Sequence, residues 1–331
     1  MSNGYVTASI KQILRRIPYW SAILLAMLTS PNILAATTGE STPEGLLPHF
    51  ESLITLAIVL FAGIIAWLLN HSSAKFRAIG TAFSAIACIA IVVWFYFALQ
   101  TGVLNNPKPF QVPMDAAKPI LMWTQISIFL LAGLSLFAVA FHQTKSHDNL
   151  TLTAHNETNR YGKVSRMLHW MTAILFIFLI PTGIFSSMIP EGTWYRTQYS
   201  VVHKTIGLIV FGLFIARIIW NKKSKRPELD NSLKPKERKM AHIAHIALYL
   251  LMFSIPITGY IMTSLHGYSS WFFIWELKPF LSESEAYKFW GLLHKYLLQY
   301  LIYFILGSHI LGALKHHFID KHTKALKRMV S

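Results

Sequence analysis

Four histidines of the 331-residue chain stand in short, mostly apolar phrases: His169 in RMLHW, His203 in VVHKTIG, His294 in LLHKY and His309 in GSHIL. An ionisable residue in such a setting is costly and usually has a partner or a task. The neutral imidazole has one ring nitrogen free to bind a metal. The single cysteine, Cys88, excludes an internal disulfide, a thiolate cluster and a C-x-x-C-H attachment site. A metal in this chain would therefore be held by histidine. Between His294 and His309 lie fourteen mostly apolar residues. On one helix that spacing puts the rings roughly 22 Å apart along the axis and roughly 60° apart around it, one face served at two depths.

The elements that must position these rings are membrane spans. The chain is 53% hydrophobic and 13% charged, with a mean hydropathy of +0.43, and it contains several apolar runs of about 20 residues, the length a spanning helix requires. Spans are expected at about 52–70, 79–100, 119–141, 168–189, 201–220, 242–263 and 293–315. The ten-residue alternation of a β-barrel is absent. With the first span running from outside to inside, 23 of the 30 Lys+Arg fall on the cytoplasmic side, so orientation explains the net charge of +16 and nucleic-acid binding is left without support. The C-terminus is then cytoplasmic. Residues 1–36 read as a signal peptide or an N-terminal membrane anchor. Residues 37–145 form a three-helix block of unassigned role, 146–163 a polar linker, and 164–331 a four-helix domain holding ten of the fifteen histidines.

That orientation puts His203 and His294 near the outer face and His169, His245 and His309 near the inner one. Any one of them could be an ordinary interfacial histidine. Two groups at two depths fit bis-imidazole ligation of haem between helices. Zinc or copper is the competing metal reading, but a closed zinc site wants four ligands at one depth, and the four spans as read hold no acidic residue. Gly207, Gly212, Gly259 and Gly307 with Trp170, Phe214, Tyr249, Phe253 and Phe304 could line an apolar pocket. A weak repeat, FLIPTGIF at 178–185 and FSIPITGY at 253–260, divides the four helices into two pairs and makes His245 the mate of His169.

RMLHW, VVHKTIG with ARIIW, HIAHIALYLLMFSIPITGYIM and LHKY…GSHILGALKHHFIDK, in that order over about residues 160–331, resemble the bacterial cytochrome b561 family, which includes superoxide oxidase-like members. The resemblance implies a four-helix dihaem bundle with two non-covalent haems b, in a bacterial inner membrane. His169 and His309 would serve the cytoplasmic-side haem, and His203 and His294 the periplasmic-side haem. His245 is the alternative ligand or a neighbour of the haem edge or quinone. The His294–His309 spacing is one residue longer than the resemblance implies, a rotation of about 100° between the rings.

With both axial positions filled, the chemistry is one-electron transfer. The expected function is exchange between a periplasmic donor (superoxide favoured) or quinol and a membrane pool of ubiquinone or menaquinone. Lys204 and Lys295, each directly following an outer histidine, are expected to steer an anionic donor. The alternatives are a membrane-anchor subunit of a multi-subunit dehydrogenase or hydrogenase, docked through the loop 266–290, and a haem-free transporter or scaffold.

Overall fold

The computed structural model describes residues 50–100, 118–145, 151–188, 194–228, 233–320 and 327–330. The expectation for residues 1–36 lies outside them. Among the described residues seven helices are long and apolar enough to cross a membrane, from the 19 residues of Glu51–Leu69 to the 33 of Tyr287–Ile319. The elements are α1 (Phe50–Leu69), α2 (Ala74–Gln100), α3 (Lys118–Thr144), α4 (Lys163–Met188), α5 (Trp194–Lys223), α6 (Pro235–Leu265), a hairpin of β1 (Ser270–Phe272) and β2 (Trp275–Leu277), α7 (Tyr287–Leu292), α8 (Leu298–Leu314) and α9 (Lys327–Val330). Two π-helical turns interrupt the last span, Leu293–Leu297 and Lys315–Ile319.

The helices pack in sequence order: α2 along α3, α4 along α5, and α6 along α7 and α8. Small residues set the close approaches, since lipid tails offer no hydrophobic drive for helix association. A Cβ on Gly80 would stand 2.8 Å from Leu68 Cβ, and one on Gly133 2.9 Å from Ile89 Cδ1. The Thr81 hydroxyl donates to Gln143 Oε1 at 2.8 Å, joining α2 to α3. The first three helices touch the remainder where α2 meets α4 and α3 meets α8. At the basic end Arg166, with no exposed surface, donates from Nη2 to Leu69 O at 2.8 Å. At the other end Trp94 of α2 stacks on Phe185 of α4, ring centres 4.5 Å apart.

The helices are longer than their apolar stretches. α6 starts at Pro235, a first-turn residue whose missing N–H costs nothing there, so the helix includes Glu237, which the apolar stretch alone did not reach. The β-hairpin was not legible as strand in a chain dominated by helical runs. It pairs Trp271 with Glu276 in antiparallel register and turns at Phe273, whose φ of 55° is uncommon for a bulky residue. Two bonds to α5 hold it: Thr205 Oγ1 donates to Trp271 O at 3.0 Å, and Phe273 N–H donates to Thr205 Oγ1 at 3.4 Å. The hairpin is thus pinned two residues from His203.

Candidate metal and cofactor site

The rings of His203 on α5 and His294 in the first π-turn face each other, centroids 6.2 Å apart. Toward the basic end, His169 on α4 and His309 on α8 stand 6.3 Å apart. His245 on α6 reaches the same place, 5.5 Å from His309. The sequence-derived grouping by depth is therefore brought together in space, as an outer pair and an inner group of three. Two imidazoles sharing one metal at about 2.0 Å per bond, with each ring centre about 1.15 Å behind its nitrogen, would stand roughly 6.3 Å apart. Both the outer pair and His169–His309 have that separation.

The outer pair is held by the repeat. His203 Nδ1 lies 2.9 Å from Leu179 O, and His294 Nδ1 2.9 Å from Ile255 O. A carbonyl can only accept, so in each ring Nδ1 carries the proton and Nε2 presents its lone pair, the usual way a second partner fixes a ligating tautomer. Both acceptors lie four residues before a glycine, Gly183 or Gly259, in the Thr-Gly step of the repeat. A Cβ on Gly183 would fall 2.5 Å from His203 Cε1, and one on Gly259 2.6 Å from His294 Cε1. These glycines are cradles against which the imidazoles lie. Thr182-Gly183 and Thr258-Gly259 are equivalent at an offset of 76 residues, which also relates His169 to His245, whereas Pro181 and Pro256 are one residue out of step. The candidate lining residues read from the sequence include Gly259 but not Gly183; the signal that finds Gly183 is the Thr-Gly step.

The other candidate lining residues divide. Phe211, Phe214, Tyr249 and Phe253 form one cluster between α5 and α6, with ring centres 6.0 to 6.3 Å apart. Phe214, Tyr249 and Phe253 border a cavity of about 380 Å³ that His245 and Arg226 also line. Gly307 instead faces Ile128 of α3, and Gly212 has nothing within 4 Å of a built Cβ. Phe304 is 71% exposed and points away from the bundle. Several remaining histidines are occupied elsewhere: His155 stacks on Trp220, His266 against Tyr268 and Tyr287, and His317 against Phe318. Glu237, His316 and Asp320 bring three ligand atoms together. The ammonium of Lys315 already bridges the two carboxylates at 2.7 and 2.9 Å. Hydrogen bonds from Lys315 and His316 hold the Asp320 carboxyl below its ordinary range.

The two lysines differ. Lys204 is half-buried and donates to Ser269 O at 3.1 Å, fastening the approach to the hairpin. Lys295 is exposed.

Among the described residues the chain is a multi-pass bundle of apolar helices that brings histidines together in pairs, with ring spacings that one metal per pair would require and, for the outer pair, fixed tautomers and glycine cradles. A family profile described as prokaryotic cytochrome b561 matches residues 160–331, and the chain belongs to that family. It is 32% identical over 177 residues to cytochrome b561 homolog 2 of Escherichia coli (strain K12), covering 53% of this chain and 93% of that protein. Over 172 residues it is 26% identical to the probable superoxide oxidase CybB of Yersinia pestis, covering 51% of this chain and 96% of that protein. Cytochrome b561 homolog 1 of E. coli (strain K12) is 25% identical over 173 residues, 52% of this chain and 97% of that protein. About half of the chain, with α1 to α3 in it, lies outside the family match. Membership implies haem b and electron transfer.

Proposed function

We propose that the protein is a dihaem cytochrome that carries single electrons across the membrane between an outer donor, superoxide favoured over quinol, and a quinone pool. His203 and His294 hold one haem b, His169 and His309 the other, and His245 stands beside the second. The observation that carries this reading is the common spacing of the two histidine pairs, 6.2 and 6.3 Å, at two levels of the same last span. A bound haem b supplies reversible one-electron exchange. The chain's residues supply the rest. Two imidazoles per site leave no open coordination position and so exclude ligand chemistry. The carbonyls of Leu179 and Ile255 keep each outer ring's proton on Nδ1. The hairpin is fastened beside His203 by Lys204 and Thr205, while Lys295 offers the exposed positive charge that would draw an anion. The basic segments at the His169 end favour placing that end in the cytoplasm.

The superoxide reading rests on the name of one relative together with Lys295. A reduced-minus-oxidised optical spectrum of the purified chain tests haem binding. Pulsed superoxide with quinone present tests the donor, and the expected result is haem reduction that slows with added salt and in Lys295→Gln. Unchanged rates in that variant at low salt would favour quinol or a protein donor. The second reading, an anchor for larger dehydrogenase subunits, is favoured by the hairpin end, where Tyr268, Trp275 and Phe280 are exposed. Co-purification of large subunits would support it.

A further inference from the structure

Three arginines gather at the basic end of the bundle, and among the described residues none of them forms a salt bridge. The guanidinium carbons of Arg217 and Arg226 lie 5.7 and 5.3 Å from the ring centre of Tyr249, whose hydroxyl accepts from Asn221 Nδ2 at 2.8 Å. Arg226, Tyr249 and His245 share the cavity between α5 and α6, and His245 in turn faces His309. The third arginine comes from the end of the chain. α9 is fastened by Trp170 Nε1, which donates to Met329 O at 2.8 Å, and Trp170 is the neighbour of His169, ring centres 5.3 Å apart. Arg328, next to Met329, donates from Nη1 to Glu228 O. Its Nε is buried without a hydrogen-bond partner. The charges of all three arginines bear on Tyr161, where they oppose the rise that burial imposes on its hydroxyl. Among the described residues none of the three is ion-paired with a carboxylate.

Arg217 and Arg328 are half-buried and Arg226 is exposed at the mouth of the cavity; cations so gathered repel one another, and the buried donors stay unspent unless an anion joins them. Guanidinium groups suit a carboxylate or phosphate, which they grip in two-pronged fashion. On the reading that His169 and His309 hold a haem b, that haem brings two carboxylates of its own on one edge. We propose that Arg217, Arg226 and Arg328 bind the propionates of the haem at the basic end, and that α9 closes this site by delivering Arg328. The C-terminal segment is then part of the cofactor site, and the cavity beside Tyr249 is where the propionate edge enters.

The test uses the full chain in nanodiscs and follows haem transfer to an apomyoglobin acceptor together with an optical redox titration. Arg217→Gln, Arg226→Gln and Arg328→Gln should each release the basic-end haem about tenfold faster, the cost of one charge-assisted hydrogen bond. Each should also lower that haem's midpoint potential, while the haem of His203 and His294 stays unchanged as internal reference. Unaltered protein refilled with haem b dimethyl ester, which lacks the carboxylates, should lose the basic-end haem at least as fast as any single variant does, and the substitutions should then add nothing. Equal retention of ester and free-acid haem would overturn the proposal. So would arginine effects that persist with the ester haem, which would assign the cluster to a lipid phosphate. A chain that binds no haem at all would overturn the proposed function instead, so the two failures are distinguishable.

Discussion

Gly183 and Gly259 decide how close the outer histidines approach their helices. A methyl group at either position would meet an imidazole carbon at 2.5 or 2.6 Å, well inside van der Waals contact, and the other helix would have to move or the ring turn away. Gly183→Ala or Gly259→Ala should weaken binding of the outer haem about 10–100-fold, the range for losing a ligand's supporting contact, with the inner haem unaffected. Gly207→Ala is the control, because its added methyl would meet only Leu179 Cδ1, at 3.9 Å. Haem-to-protein ratios of the three variants check this, and equal ratios would remove the cradle role. The histidines themselves were legible because each is an ionisable group in an apolar phrase. Their partners were not. A backbone carbonyl such as Leu179 O has no sequence signature, and it becomes a partner only when α5 is laid against α4. Lys204 was similarly opaque: the His-Lys dipeptide suggested an outward charge, but the amine is satisfied by Ser269 O from a hairpin sixty-five residues on.

At the scale of elements, the unusual feature is the π-turn at Leu293–Leu297, in which Leu298 N–H reaches back five residues to Leu293 O. Such a turn takes up one extra residue without breaking the helix and is frequent at functional sites. It accounts for the long His294–His309 interval: the expected rotation of about 100° is absorbed beside His294, and His309 still meets His169. Deleting Leu297, an exposed residue of that turn, should restore a regular α-helix and keep both haems. Inserting one alanine after Ile305, in regular α-helix, should turn His309 away and lose the inner haem. Spectra of the two variants decide it, and loss of the inner haem in the deletion with retention in the insertion would refute the role given to the π-turn. The spans were readable from length and hydropathy alone. The hairpin was not, because three-residue strands leave no periodic pattern and this one depends on Thr205 for its anchorage.

At the scale of the whole molecule, a family domain carries three further helices that lean mainly on α4 and α8. Arg166 is the deepest link at the basic end, and Arg166→Leu should loosen α1 and α2 from α4 at a cost of about 1–3 kcal/mol, since Leu69 O would lose its donor. A lower thermal midpoint with unchanged haem potentials is the expected result, read from melting in detergent and a redox titration. An unchanged midpoint would make the contact incidental. The family match over residues 160–331 covers the part of the chain where the histidines gather, but the contacts of the first three helices with it follow from α2 meeting α4 and α3 meeting α8, which no local pattern encodes. The central claim is the pairing of histidines, and the most direct measurement is the haem-to-chain ratio of the unaltered protein and its single histidine-to-alanine variants. The account predicts about two haems b per unaltered chain. His203→Ala and His294→Ala should each lose the same haem, His169→Ala and His309→Ala the other, and His245→Ala neither. A colourless protein, or a His309→Ala variant that keeps both haems while His245→Ala loses one, would contradict it.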